Sequence, residues 1–91
     1  MSAPSLEVLV ADVRSRINDP ARRELAAVVV TDLAQLHARL LAGEQVDAEI
    51  AHARSQATGL VATELREVAN AFVSWAGQVA GAVVHGVIAA A

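Results

Sequence analysis

The sequence predicts an all-α protein, in which a short N-terminal helical hairpin is followed by one long amphipathic C-terminal helix that forms an oligomeric bundle. Three observations predict this fold. Apolar residues recur every three or four positions, Asn18-Asp19-Pro20 and Gly43 mark two helix boundaries, and residues 68–91 contain no Asp, Glu, Lys or Arg. The first pattern is typical of amphipathic helices, and a long uncharged run must be covered by protein or lipid.

The first helix is predicted by one apolar face that ends at a clear stop signal. Pro4 suits a first helical turn, and the residue before Pro20 is disfavoured in the helical region. Asp19 can then act as the N-cap of a second helix that has Pro20 at its first position. The apolar face of the first helix consists of Leu6, Leu9, Val10, Val13 and Ile17.

The second helix is expected from about Pro20 to Ala42, because its apolar residues again form a single stripe. Gly43 is a natural terminator, since glycine adopts the left-handed conformation without a Cβ penalty. Residues 1–43 are therefore predicted to form the hairpin region. The stripe consists of Leu25, Val28, Val29, Leu33, Leu36 and Leu40.

Residues 44–91 are predicted to form the long helix, within a protein that is a single domain. Only isolated glycines interrupt this region, and each costs about 1 kcal/mol in a helix relative to Ala. Its apolar residues recur with a step close to the natural helical turn, which favours a straight or gently right-handed bundle.

The C-terminal half of this helix is predicted to form the oligomer interface. The spacing of Gly77 and Gly81 would allow two helices to pack closely. The predicted interface residues are Val68, Phe72, Trp75, Val79, Val83 and Val87.

A second stripe on this helix carries neutral polar side chains. Asn70, Ser74, Gln78 and His85 recur at helical spacing within the uncharged run. They would either line a narrow wet passage inside an oligomer or face bulk water on its outside.

Glu49 and His52 are the candidate metal ligands, because Glu-x-x-His places a carboxylate and an imidazole on one helical face. Glu24 or Asp32 could supply further ligands. Both residues of the motif lie off the apolar stripe, however, so they are expected to face water. The chain has no Cys, and its Ser and Thr residues lack a base with an orienting partner. We therefore expect no catalytic residue, no resident metal and no cofactor.

Charge and composition also restrict the partners. The net charge is −3 and Lys is absent, so no basic patch favours nucleic acid. The N-terminus shows no signal peptide, which predicts synthesis in the cytoplasm. Trp75-Ala76-Gly77 matches the Trp-x-Gly of small secreted helical-hairpin proteins, but the motif falls in the last quarter of the chain and no family is assigned.

These observations predict a non-enzymatic structural subunit that assembles through its Ala/Val-rich C-terminal helix into a bundle or ring. It would be a homo-oligomer within a larger assembly, such as a virion or tail component that lines or plugs a channel. The first alternative is a membrane-active protein, holin-like or part of an ejection channel, in which residues 68–91 enter a bilayer. The second alternative is a ferroxidase-like helical dimer that binds metal.

Overall fold

A computed structural model describes residues 6–76, and this part of the chain is entirely helical apart from its turns. Its helices are α1 (Leu6–Arg16), α2 (Pro20–Leu41), α3 (Asp47–Ala57) and α4 (Ala62–Ala76). The helices α1, α3 and α4 all pack on α2, and α1 also packs on α4. The predicted all-α class is confirmed.

The junction between α1 and α2 is built as the sequence predicts. Asp19 is the N-cap of α2, and its carboxylate accepts a hydrogen bond of 2.9 Å from the backbone N–H of Arg22. Leu9, Val13 and Ile17 are all buried. Most of the predicted apolar face of α1 therefore packs on α2 and α4, whereas Leu6 at its start is exposed.

The end of α2 also agrees with the sequence. Its last residue is Leu41, and Gly43 follows with a φ of +83°. The N–H groups of Gly43 and Glu44 donate to the carbonyl oxygens of Leu40 and Arg39, each at 3.0 Å. These bonds satisfy carbonyl groups that a helix end leaves without partners.

The structure does not contain the single continuous helix predicted from residue 44. Within the described residues this region is divided into α3 and α4 by a turn at 58–61. The N–H groups of Gly59 and Leu60 donate to Gln56 and Ala57 at 3.1 and 3.0 Å, which closes α3. Gly59 also lies against Leu25, where an added Cβ would come within 2.5 Å of a Leu25 methyl carbon.

The physical reason for this turn is burial. Leu60 is 6% exposed, and Val68 and Phe72 are fully buried in one cluster with residues of α1 and α2. An uninterrupted helix would carry the residues after 58 away from these neighbours. Interrupting the helix costs free energy locally. The turn lets α4 bury its apolar side chains, and that burial offsets the cost.

Candidate functional site

A cleft lined by both polar and apolar side chains lies between α2 and α3. Its volume is about 310 Å³. Successive turns of α2 supply one wall, because positions three and four apart share a helical face, and the first turns of α3 supply the other. The lining residues are Asp32, Gln35, Leu36, Arg39, Ala48, Glu49 and His52.

Asp32 lies in the cleft, and one of its two carboxylate oxygens lacks a hydrogen-bond donor. Its Oδ2 atom is buried and accepts no hydrogen bond from the residues that the structure describes. Burial raises the pKa of the Asp32 carboxyl, and the nearby His52 opposes part of that increase. A buried acceptor of this kind is costly, since it has lost water and gained no donor in exchange.

Arg39 is the cation nearest in sequence to Asp32 on this face, but its guanidinium is engaged elsewhere. Its Nε lies 3.1 Å from Glu44 Oε1, and its Nη1 lies 3.2 Å from Glu49 Oε1. These carboxylates raise the pKa of Arg39. Arg39 therefore closes one end of the cleft as part of an ion-pair network and does not neutralise Asp32.

The predicted Glu49 and His52 pair lies at the rim of this cleft. His52 is exposed and Glu49 is partly exposed, as expected for residues off the apolar stripe. Asp32 of α2, which was a candidate further ligand, lines the same cleft, whereas Glu24 is not part of it and pairs with Arg14 at 3.0 Å. Within residues 6–76, however, no group of three His, Cys, Asp or Glu side chains is arranged to hold a metal ion.

Gln35 and Arg39 belong to the cleft but were not singled out from the sequence. Their spacing from Asp32, at i+3 and i+7, was the available signal, since these positions share one side of a helix. This spacing does not predict a cleft unless it is known that α3 packs beside the same face of α2. A polar helical face is far more often plain surface.

The predicted interface residues fall into two groups. Val68 and Phe72 are fully buried in the core of the single chain, and Trp75 is partly buried with its ring centroid 6.2 Å from that of Phe72. His37 contacts Phe72 edge to face, with the ring centroids 5.9 Å apart. Val79, Val83, Val87, Gly77 and Gly81 lie outside the described residues.

The structure describes only two of the four residues of the predicted polar stripe. Asn70 and Ser74 are exposed on α4, whereas Gln78 and His85 lie outside the described residues. Ser74 and Trp75 border a shallow groove of about 210 Å³ between α1 and the C-terminal end of α4. Its remaining lining residues are Val8, Leu9, Asp12 and Ala71.

Comparisons with protein-family models, with curated proteins and with solved structures gave no match. Among residues 6–76, none of the helices combines the length and the apolar character that crossing a bilayer requires.

Proposed function

We propose that this chain is a non-enzymatic structural subunit, in which a helical body carries an apolar C-terminal segment that joins copies into a bundle or ring. The body is the four-helix unit of residues 6–76, and the association segment is residues 77–91. After synthesis in the cytoplasm, such a subunit would enter a larger assembly of the virion or tail type and line or plug a channel there.

The composition of residues 77–91 carries this proposal. The segment GQVAGAVVHGVIAAA contains no Asp, Glu, Lys or Arg, and Gln78 and His85 are its only polar side chains. An uncharged apolar run of this kind is typical of segments that contact another protein or lipid. Gly77 and Gly81 would allow the close approach of a second helix.

The packing of residues 6–76 excludes two of the predicted interface residues from contact with another copy. Val68 and Phe72 already pack with α1 and α2, so they have no side-chain surface left for a partner. Val79, Val83 and Val87 are therefore the residues proposed for the interface. Trp75 is the last residue but one that the structure describes, and it borders the groove between α1 and α4.

The membrane alternative is supported by the same uncharged run but requires a rearrangement of the body. A span of about 20 residues that begins at Val68 would remove α4 from its contacts with α1 and α2. That change would expose the apolar core of both helices. Association through residues 77–91 requires no such disruption, and we therefore favour it.

Sedimentation of the full chain in buffer, with and without detergent, tests the proposal. We expect a discrete oligomer in buffer, which Val79→Asp converts to monomer because it places a charge in the apolar contact. Gln78→Glu is the matched control, since it adds the same charge at the neighbouring position on the polar stripe. A wild-type monomer in buffer would contradict the proposal, as would equal effects of the two variants. Partition of the wild type into liposomes would support the membrane alternative.

A further inference from the structure

Helices α1 and α4 run in opposite directions. Arg16 is the last residue of α1, and its Nη1 lies 3.6 Å from Oε2 of Glu67 in the first half of α4. Val8, in the first turn of α1, borders the same groove as Trp75 in the last turn of α4. The start of α1 therefore lies beside the end of α4.

Helices α2 and α4 run in the same general direction. In the first turn of each helix, Arg22 Nε lies 2.8 Å from Glu64 Oε1. Toward the end of each helix, the ring of His37 contacts that of Phe72, with the centroids 5.9 Å apart. The end of α2 therefore lies on the same side of the body as the end of α4 and the start of α1.

This side of the body presents most of the exposed large apolar side chains of residues 6–76. Seven such side chains are exposed there, and five of them lie in the first turn of α1 or in the last turns of α2 and α4. Single exposed apolar residues are normal, but a group of them on one side of a protein is typical of a contact surface. We call this surface the apolar end, and its residues are Leu6, Val8, Leu40, Leu41 and Val73.

The opposite side of the body is charged instead. The end of α1 and the first turns of α2 and α4 contribute the ion pairs of Arg16 with Glu67 and of Arg22 with Glu64. Val61 is exposed there, but it lies in the same groove as these charged side chains. An uncharged apolar segment is therefore expected to pack on the apolar end.

A segment with that composition begins at the apolar end. Residues 77–91 follow directly after Ala76 of α4 and contain no Asp, Glu, Lys or Arg. Fifteen residues reach about 22 Å even with the short rise of a helix. The segment is therefore long enough to contact a second copy that faces the first through the same end.

We propose that the apolar end of one copy receives residues 77–91 of a second copy. This inference rests on the function proposed above, in which these residues join copies, and it adds the surface that receives them. Each copy has the segment and the receiving surface at the same end, so two facing copies exchange their segments reciprocally. Such an exchange covers both apolar ends and forms a closed, symmetric contact.

Leu41→Lys tests the receiving surface in the full chain. Leu41 is 66% exposed and a cation is favoured in the last turn of a helix, so the variant should fold normally. Because the new charge lies in the contact, we expect the dissociation constant of the oligomer to rise about tenfold or more in sedimentation equilibrium. Val28→Lys is the matched control on α2. Val28 is 44% exposed and lies outside the apolar end, so the dissociation constant should change less than about twofold.

A spin label on the segment locates its contact. Ala90→Cys provides a single attachment point, because the chain has no Cys. Copies that carry the nitroxide are mixed with isotope-labelled copies that do not. We expect the isotope-labelled copies to lose the amide signals of Leu6 and Leu41 and to retain those of Val28 and Val61. Circular dichroism establishes that all variants remain helical.

The outcomes separate this inference from the function on which it rests. If the wild type forms an oligomer that Leu41→Lys does not weaken, or that Val28→Lys weakens equally, the inference is wrong and the proposed function stands. Signal loss that occurs only when one copy carries both labels would place the segment on its own body and would also overturn the inference. A wild-type monomer would overturn both.

Discussion

The carboxylate of Glu64 on α4 holds the guanidinium of Arg22 on α2, with Arg22 Nε lying 2.8 Å from each carboxylate oxygen. The Glu64 side chain is only 11% exposed. Its Oε1 also accepts the backbone N–H of Val61 at 3.1 Å, so it caps the first turn of α4. One side chain thus fixes both where α4 begins and how α4 is positioned on α2.

Glu64→Gln is expected to lower the melting temperature at neutral pH, because the amide cannot carry the charge that pairs with Arg22. The hydrogen bond from Arg22 lowers the pKa of Glu64. The stabilising effect is therefore complete above the ordinary Glu pKa of about 4.3 and is lost as pH falls through the lowered value. Thermal unfolding at several pH values measures this, and the curves of wild type and variant should converge in acid.

Glu24→Gln is the control for this prediction. Glu24 pairs with Arg14 at 3.0 Å, but both side chains are about half exposed or more. Solvent-exposed pairs contribute little to stability. A loss of stability equal to that of Glu64→Gln, or one that does not depend on pH, would contradict the role assigned to Glu64.

Asp32→Asn is expected to stabilise the protein at neutral pH by about 1 kcal/mol, because it removes the charge from a carboxyl group whose Oδ2 atom is buried and accepts no hydrogen bond from the described residues. Burial raises the pKa of Asp32 in the folded state. The folded chain therefore retains this proton at pH values where the unfolded chain has lost it, and stability increases as pH falls through the raised pKa. Urea unfolding at neutral and acidic pH should show the advantage of the variant shrinking in acid.

Asp47→Asn is the control for that experiment, because it is expected to change the stability in the opposite direction. Asp47 is an exposed acid in the first turn of α3, where a negative charge is favoured by the helix dipole. Its replacement should slightly lower stability at neutral pH. If Asp32→Asn also lowered stability, Asp32 would have a partner in solution that satisfies its charge.

Gly43→Ala is expected to cost about 1 kcal/mol, because residue 43 has a φ of +83° and L side chains disfavour that region. An added Cβ meets nothing within 4 Å, so the cost comes from the backbone alone. Gly43→Asn should cost less, since Asn tolerates the left-handed region. Denaturant unfolding measures both changes, and equal costs for Ala and Asn would argue against this explanation.

Phe72→Ala is expected to lower the free energy of unfolding by about 4 kcal/mol at every protein concentration. Phe72 is fully buried in the core of the single chain and contacts His37 and Trp75. Val73→Ala at the neighbouring position, which is 38% exposed, should cost less than about 1 kcal/mol. Unfolding curves at several concentrations measure both variants. A cost for Phe72→Ala that changes with concentration would place Phe72 in an interface between copies.

The elements that could be predicted from the sequence are those with local causes. Asp19 and Pro20 mark the start of α2, and Gly43, with its positive φ, marks the turn that follows α2. The spacing of Leu9, Val13 and Ile17 predicts the residues of the first segment that are buried. Each of these signals acts within a few residues. None of them depends on where a distant helix lies.

The sequence alone therefore determined the helical class, the positions of the first two helices and the uncharged character of residues 68–91. Only the tertiary structure decided that the chain turns at 58–61, that Val68 and Phe72 belong to the core of one chain, and that Asp32 and His52 share a cleft. The reason is that helical periodicity records which side of a helix is apolar. The partner that covers that side is selected by contacts between residues far apart in the chain, such as Arg22 and Glu64.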